Sequence, residues 1–177
     1  MLKRLKTKDG FTIIEIISVL VILGILAAVV VSRLTNYSVE VFTGADTLKE
    51  HLRYAQTVAM NFSPTAGEDT VWGIKSGDGT SYWLFSGTNT NNIQFLPENS
   101  KYVTSDGKVN LTDKKVKLNE GFTIYYDNHG IPYTAYTNAT TNTPLDPNGT
   151  GLAIVVTSLN GSYSQNITIT PLTGFIP

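Results

Sequence analysis

Between Phe11 and Val31 the chain reads Phe-Thr-Ile-Ile-Glu-Ile-Ile-Ser-Val-Leu-Val-Ile-Leu-Gly-Ile-Leu-Ala-Ala-Val-Val-Val, with one ionisable residue, Glu15, and no proline. No other stretch restricts the fold so tightly. Twenty-one helical residues at ~1.5 Å each reach roughly 31 Å, about the thickness of a bilayer's hydrocarbon core. Lys3, Arg4, Lys6 and Lys8 precede the run, with only Asp9 opposing them. The excess of positive charge keeps the N-terminus in the cytoplasm and sends the rest of the chain across the membrane. A cleaved secretory signal has a shorter apolar region of ~7–15 residues, and a buried core helix does not account for the basic leader. An ordinary anchor does not account for Glu15. A carboxylate among isoleucines is costly in lipid, and by default it marks a functional site with a partner to be named.

Lys8-Asp9-Gly10, then Phe11-Thr-Ile-Ile-Glu15, then Gly24-Ile-Leu-Ala-Ala28, together resemble the N-terminus of type IV pilins and type II secretion pseudopilins. The resemblance implies that residues 1–10 form a leader. A prepilin peptidase on the cytoplasmic side would cut between Gly10 and Phe11 and methylate the new Phe11 amine. It also implies an assembly role for Glu15, which would meet the Phe11 amine of a neighbouring subunit. The implied partners are other pilin or pseudopilin subunits, the peptidase, an inner-membrane assembly platform, and membrane lipid before assembly. Many pilins carry proline where this chain has Ser32, so the helix is expected to continue past the membrane.

Elementary electrostatics agrees with that role for Glu15. A free α-amine, with a reference pKa near 8, is cationic at neutral pH. At ~4 Å and an effective dielectric of ~20, an amine and a carboxylate attract by about 4 kcal/mol before desolvation. Placing one carboxylate within a bilayer costs up to roughly 3 kcal/mol at its centre.

Charge and cysteine content narrow the rest. The chain has thirteen basic and fourteen acidic residues. Loss of residues 1–10 removes four of the former and one of the latter, leaving nine against thirteen and a side-chain charge of −4. Nucleic-acid binding usually needs a basic patch or stripe, so no nucleic-acid partner is expected. There is no cysteine. An exported head built from this chain is held by packing rather than by disulfides, which such compartments otherwise allow.

From Tyr37 to Phe62 apolar residues recur at spacings of three and four: Val41 or Phe42, Ala45, Leu48, Leu52, Ala55, Ala59 and Phe62. That pattern predicts an amphipathic helix, with Gly44 its weakest point and Ser63-Pro64 its stop. One long helix from about Phe11 to Phe62 is expected, with two helices hinged near Asn36 as the alternative. From Thr70 the pattern changes to period two with turns. Val71–Ile74 and Tyr82–Phe85 flank Ser76-Gly-Asp-Gly79; Phe122–Asp127 and Ile131–Tyr136 flank Asn128-His-Gly130; Leu152–Ser158 and Tyr163–Thr170 flank Leu159-Asn-Gly-Ser162. Each reads as a hairpin. Ile93–Leu96, Tyr102–Thr104, Val109–Leu111 and Val116–Leu118 are shorter strand candidates, and Thr137–Thr150, rich in Thr, Asn, Pro and Gly, reads as an exposed loop. The fold class is α+β: a long N-terminal helix packed on a mainly antiparallel β head. Its divisions are the leader 1–10, a helix 11–63 that spans the membrane at about 11–31, and a β-rich head 64–177.

Asp46–Met60 is similar to the second half of the helix in H-type pseudopilins and FimT-like minor pilins. The turn Tyr126–Pro132 and the ending Ile167–Gly174 are similar to theirs too. Trp72-Gly-Ile and Tyr82-Trp-Leu-Phe resemble minor pilins of mannose-sensitive haemagglutinin pili. These likenesses imply a minor structural subunit of a pilus or secretion pseudopilus. It would sit first in the bacterial inner membrane with its head outside, and then in a periplasmic pseudopilus or a surface pilus. A tip-proximal adhesive subunit, using the Thr137–Thr150 loop and exposed Tyr133 and Tyr136, is the alternative; the major pilin is another.

No catalytic centre is expected. His51 falls on a helix and His129 in a turn beside Asp127, and no GxSxG, P-loop or HExxH pattern occurs. Asp146-Pro-Asn-Gly-Thr150 offers alternating oxygens for calcium but lacks a bidentate Glu and a set of six to eight ligands, and a plain turn explains it. Some FimT-like pilins take up DNA through arginines near the C-terminus; Gly174-Phe-Ile-Pro177 has no basic residue. Triplets such as Asn138-Ala-Thr140 and Asn166-Ile-Thr168 are expected by chance in a chain this rich in Asn and Thr.

Overall fold

A computed structural model describes residues 10–34, 38–61, 71–146 and 149–177, which divide into two compact units, Met1–Asn36 and Tyr37–Pro177. The first unit is helix α1, Ile13–Leu34. Ile13–Val30 is long and apolar enough to cross a membrane, and none of it is buried within the protein. The second unit opens with helix α2, Ser38–Asn61. Passage of one continuous helix through Asn36, and the Phe62-Ser-Pro64 stop, lie outside the described residues.

In α2 the stripe of spacing three and four is the buried one: Val41, Ala45, Leu48, Leu52, Ala55 and Ala59 are each at most 1% exposed. Complete burial of one Val or Leu side chain contributes about 1.5–3 kcal/mol, so this stripe fixes which face of α2 meets the sheets. Gly44 has a packing reason rather than being a weak point. A Cβ there would sit 3.0 Å from Val116 Cγ2, so the glycine lets α2 close onto the strand that carries Val116.

The sheets are antiparallel throughout. Strands β1 (Trp72–Ser76) and β2 (Ser81–Ser86) form the first expected hairpin. β3 (Ile93–Gln94) pairs with one half of β2, and β4 (Val109–Asn110) with the other. β5 is Val116–Leu118. β6 (Phe122–Tyr126) and β7 (Pro132–Tyr136) form the second hairpin. β8 (Asn142–Pro144) follows, then β9 (Leu152–Ser158) and β10 (Ser164–Ile169), the third hairpin. One sheet has the order β3-β2-β1-β6-β7-β8, and the other β10-β9-β5.

Two local expectations are corrected. Tyr102–Thr104 is not a strand: Ser100–Tyr102 forms one 3-10 turn, capped by the Asn99 side chain accepting from Lys101 N, and only Val103 bridges to Val109. The Thr137–Thr150 stretch is not all loop. β8 pairs with β7, and Asn138 Oδ1 closes the connecting turn by accepting from Thr140 N and Thr141 N.

The core has two parts. The larger lies under α2 and takes in Ile74, Tyr82, Leu84, Ile124, Tyr126, Ile154, Ile167 and Ile169. The smaller, Val71, Trp83, Phe85, Tyr125 and Tyr133, forms a separate cluster. β2 divides Tyr82 and Leu84 from Trp83 and Phe85, as alternation along a strand requires. α2 also holds the chain end: Arg53 Nη2 donates to the Ile176 carbonyl at 2.7 Å, and Gln56 Nε2 to the Gly130 and Thr173 carbonyls at 2.9 and 2.8 Å.

Candidate functional site

The structure places Gly10, Phe11 and Glu15 at the start of α1. Gly10, Phe11 and Thr12 are not helical, and Gly10 and Phe11 are exposed. A Cβ on Gly10 would meet nothing within 4 Å. The Gly10–Phe11 peptide bond is therefore in irregular, open backbone, the condition under which a peptidase can bind and cut it.

The helix begins immediately afterwards because Thr12 caps it. Glu15 N donates to the Thr12 carbonyl at 3.1 Å and to Thr12 Oγ1 at 3.3 Å, and Ile16 N donates to the same carbonyl at 3.2 Å. These bonds satisfy amides that a helix start otherwise leaves unpaired. Thr12-Ile-Ile-Glu15 is the Thr-x-x-Glu pattern of a capping box, a signal present in the sequence whose capping member the reading of Glu15 alone passed over. Glu15 in the first turn also meets the positive end of the helix dipole. Removal of residues 1–10 leaves this cap intact.

Phe11 and Glu15, four residues apart, share a face. With Ile16, Val19 and Leu20 they line a shallow recess of about 270 Å³. Its lining is apolar except for the carboxylate, so a cationic group on an apolar helix is the ligand it suits. Further along, Ser18 Oγ donates to the Ile14 carbonyl at 2.8 Å, which keeps its hydroxyl satisfied without water. A Cβ on Gly24 would meet nothing within 4 Å.

Residues 5–31 match the prokaryotic N-terminal methylation motif. No curated protein and no solved structure matches the chain. The motif supports a type IV pilin-like subunit, anchored through its apolar helix and processed by prepilin peptidase, and a structural role rather than a catalytic one.

In the head, His129 is exposed. Its partner Asp127 serves the turn, accepting from His129 N and Ile131 N at 2.9 Å each. Tyr133 is not an exposed aromatic. It is 9% exposed and donates to Asp127 Oδ2 at 3.0 Å; burial and that carboxylate push its phenol up to about 12. Tyr136 packs edge-on to it, with ring centres 5.2 Å apart. Part of the Asp146–Thr150 segment lies outside the described residues, and among the described residues no cluster of three or more His, Asp or Glu could hold a metal. His51 lies on α2, as the sequence predicts; its partner in the fold is what the sequence does not show. His51 is 4% exposed, with Nδ1 2.7 Å from the Tyr82 hydroxyl, a partner thirty-one residues away.

Proposed function

We propose that this chain is a structural subunit, minor in stoichiometry, of a type IV pilus or a type II secretion pseudopilus. The observation that carries the reading is the N-terminal methylation motif placed on an open Gly10–Phe11 bond ahead of a capped, unburied apolar helix. The precursor sits in the bacterial inner membrane with its basic leader in the cytoplasm and its head outside. Prepilin peptidase cuts after Gly10 and methylates Phe11. Glu15 then takes the Phe11 amine of the next subunit, and α1 moves from lipid to other helices. That exchange is nearly apolar for apolar, so the charge pair sets recruitment and register. Minor rather than major status rests on the similarity of Asp46–Met60 to H-type pseudopilins and FimT-like minor pilins.

Processing is tested at the bond itself. A Gly10→Val chain is expected to remain in the membrane fraction with residues 1–10 attached, because a branched side chain replaces the open backbone the peptidase needs. Intact-mass measurement of the membrane protein from cells containing the peptidase reads this directly. A Gly10→Val chain that begins at Phe11 contradicts the assignment.

A further inference from the structure

Helix α2 buries the stripe from Val41 to Ala59, yet its start also carries apolar side chains turned away from that core. Val39 is 67% exposed and Phe42 55%. Three residues apart, they share one face of the helix. Their neighbours are of a different kind. Val39 shares a recess of about 210 Å³ with Tyr102 and Lys114. The Tyr102 ring has Lys114 Nζ 4.7 Å and Lys101 Nζ 5.3 Å from its centre, within the ~6 Å of a cation–π contact. Lys115 Nζ, on a side chain 62% exposed, lies 4.0 Å from Glu40 Oε1. The carboxylates on this side are Glu40, Glu98, which pairs with Lys114, and the exposed Asp46, one turn beyond Phe42. Lysine and carboxylate charges thus balance around the two apolar residues, so apolar contact rather than net charge decides what this patch meets.

Covalent reach limits where the patch can be. The candidate span ends at Val30, α1 stays helical to Leu34, and α2 begins at Ser38. The helical part adds about 6 Å, and the connection to Ser38 adds at most ~14 Å. Ser38 is therefore within roughly 20 Å of the end of the span, whatever angle the two units take. The headgroup layer fills about the first 5–8 Å of that distance. Its occupants have a recognisable composition. Tyrosine rings sit at headgroup level, and lysine stems lie along apolar surface with the ammonium in water.

We propose that the start of α2 is a second lipid contact of the membrane-held chain. Val39 and Phe42 dip into the headgroup layer of the leaflet through which α1 emerges, and Tyr102, Lys101 and Lys115 lie at headgroup level around them. The partner is the bilayer surface itself, reached by continuity with the span. The proposal rests on the membrane-anchored reading above, and entry into a filament requires this contact to be given up.

The chain has no cysteine, so a single introduced one takes a fluorophore uniquely. Thr43→Cys, exposed beside Phe42, reports on the patch. Leu172→Cys is the control: it is 59% exposed and adjoins Thr173, whose carbonyl accepts from Gln56, about 20 Å further along α2 than Thr43. The full-length chain is reconstituted in vesicles of phosphatidylethanolamine and phosphatidylglycerol that contain a lipid with a nitroxide headgroup. Quenching at residue 43 is expected to be several times that at residue 172. Adding Val39→Asp and Phe42→Asp is expected to bring it down to the level at residue 172. Equal quenching at the two positions overturns the proposal, as does quenching at residue 43 that survives the aspartates, because the tether alone then explains it. A label at residue 43 shielded from a water-soluble quencher but untouched by the lipid nitroxide overturns it in favour of a second copy. Flotation with the vesicles separates these results from failure of the membrane reading: a chain that does not float contradicts both.

Discussion

A Glu15→Ala chain is expected to be synthesised, cut after Gly10 and held in the membrane, yet to be almost absent from filaments. The substitution leaves the Gly10–Phe11 bond and the Thr12 cap untouched, since Thr12 bonds the backbone N–H of residue 15 and not its side chain. It also removes a carboxylate whose insertion into lipid costs up to ~3 kcal/mol, so the free subunit is, if anything, better anchored. What it removes on the filament side is an amine–carboxylate attraction of about 4 kcal/mol at ~4 Å. The carboxylate is out of water in lipid and filament alike, so the loss is close to that attraction, and about 4 kcal/mol lowers recruitment by roughly 1,000-fold. Counting the processed subunit in membranes and in sheared filaments separates the two effects. Wild-type incorporation of a processed, stable Glu15→Ala chain contradicts the docking role.

Gly73→Val is expected to unfold the head. Gly73 is the second residue of β1, paired with Phe85 on β2 and Tyr125 on β6. A Cβ there would run into the Ile124 carbonyl oxygen and come 2.5 Å from Phe85 Cζ. The Phe85 ring is fully buried and stands edge-on to Tyr125, centres 5.0 Å apart, so it occupies the space a side chain would need. Overpacking alone costs about 1–3 kcal/mol, and moving the carbonyl breaks strand pairing as well, so the loss is expected at or above ~3 kcal/mol. That is a large part of the ~5–15 kcal/mol holding an ordinary domain. Denaturant unfolding of the detergent-solubilised chain, followed by near-ultraviolet circular dichroism, measures it. Gly87→Ala is the control: its Cβ meets nothing within 4 Å, although φ is +78°, and left-handed backbone costs a non-glycine residue only about 1–2 kcal/mol. Equal stability of Gly73→Val and wild type contradicts the packing account.

What could be read from the sequence was what is encoded locally. The three hairpins were legible because Ser76-Gly-Asp-Gly79, Asn128-His-Gly130 and Asn160-Gly161 supply turn residues between apolar runs. The buried stripe of α2 was legible because Val41 to Ala59 repeat at helical spacing. The α1 run was legible because length, charge and one misplaced carboxylate coincide. The rest depends on distant partners. β8 looks like loop because its strand character comes from β7 rather than from Asn142-Thr-Pro144. The apolar residues of Tyr102–Thr104 suggested a strand, but the Asn99 cap turns the chain just before it. Tyr82-Trp-Leu-Phe85 hides a second core cluster, since all four are buried and alternation vanishes when both faces are covered. The partner of His51 gave no signal: only the fold brings the Tyr82 hydroxyl to its Nδ1.

The central claim is that Phe11 becomes the first residue of a filament subunit. Mass spectrometry of filaments sheared from cells, quantifying the N-terminal peptide of this chain, tests it most directly. The account predicts a peptide that begins at N-methylated Phe11, present at a small fraction of the main subunit. A chain that still carries residues 1–10 and is found only in the membrane fraction would contradict it.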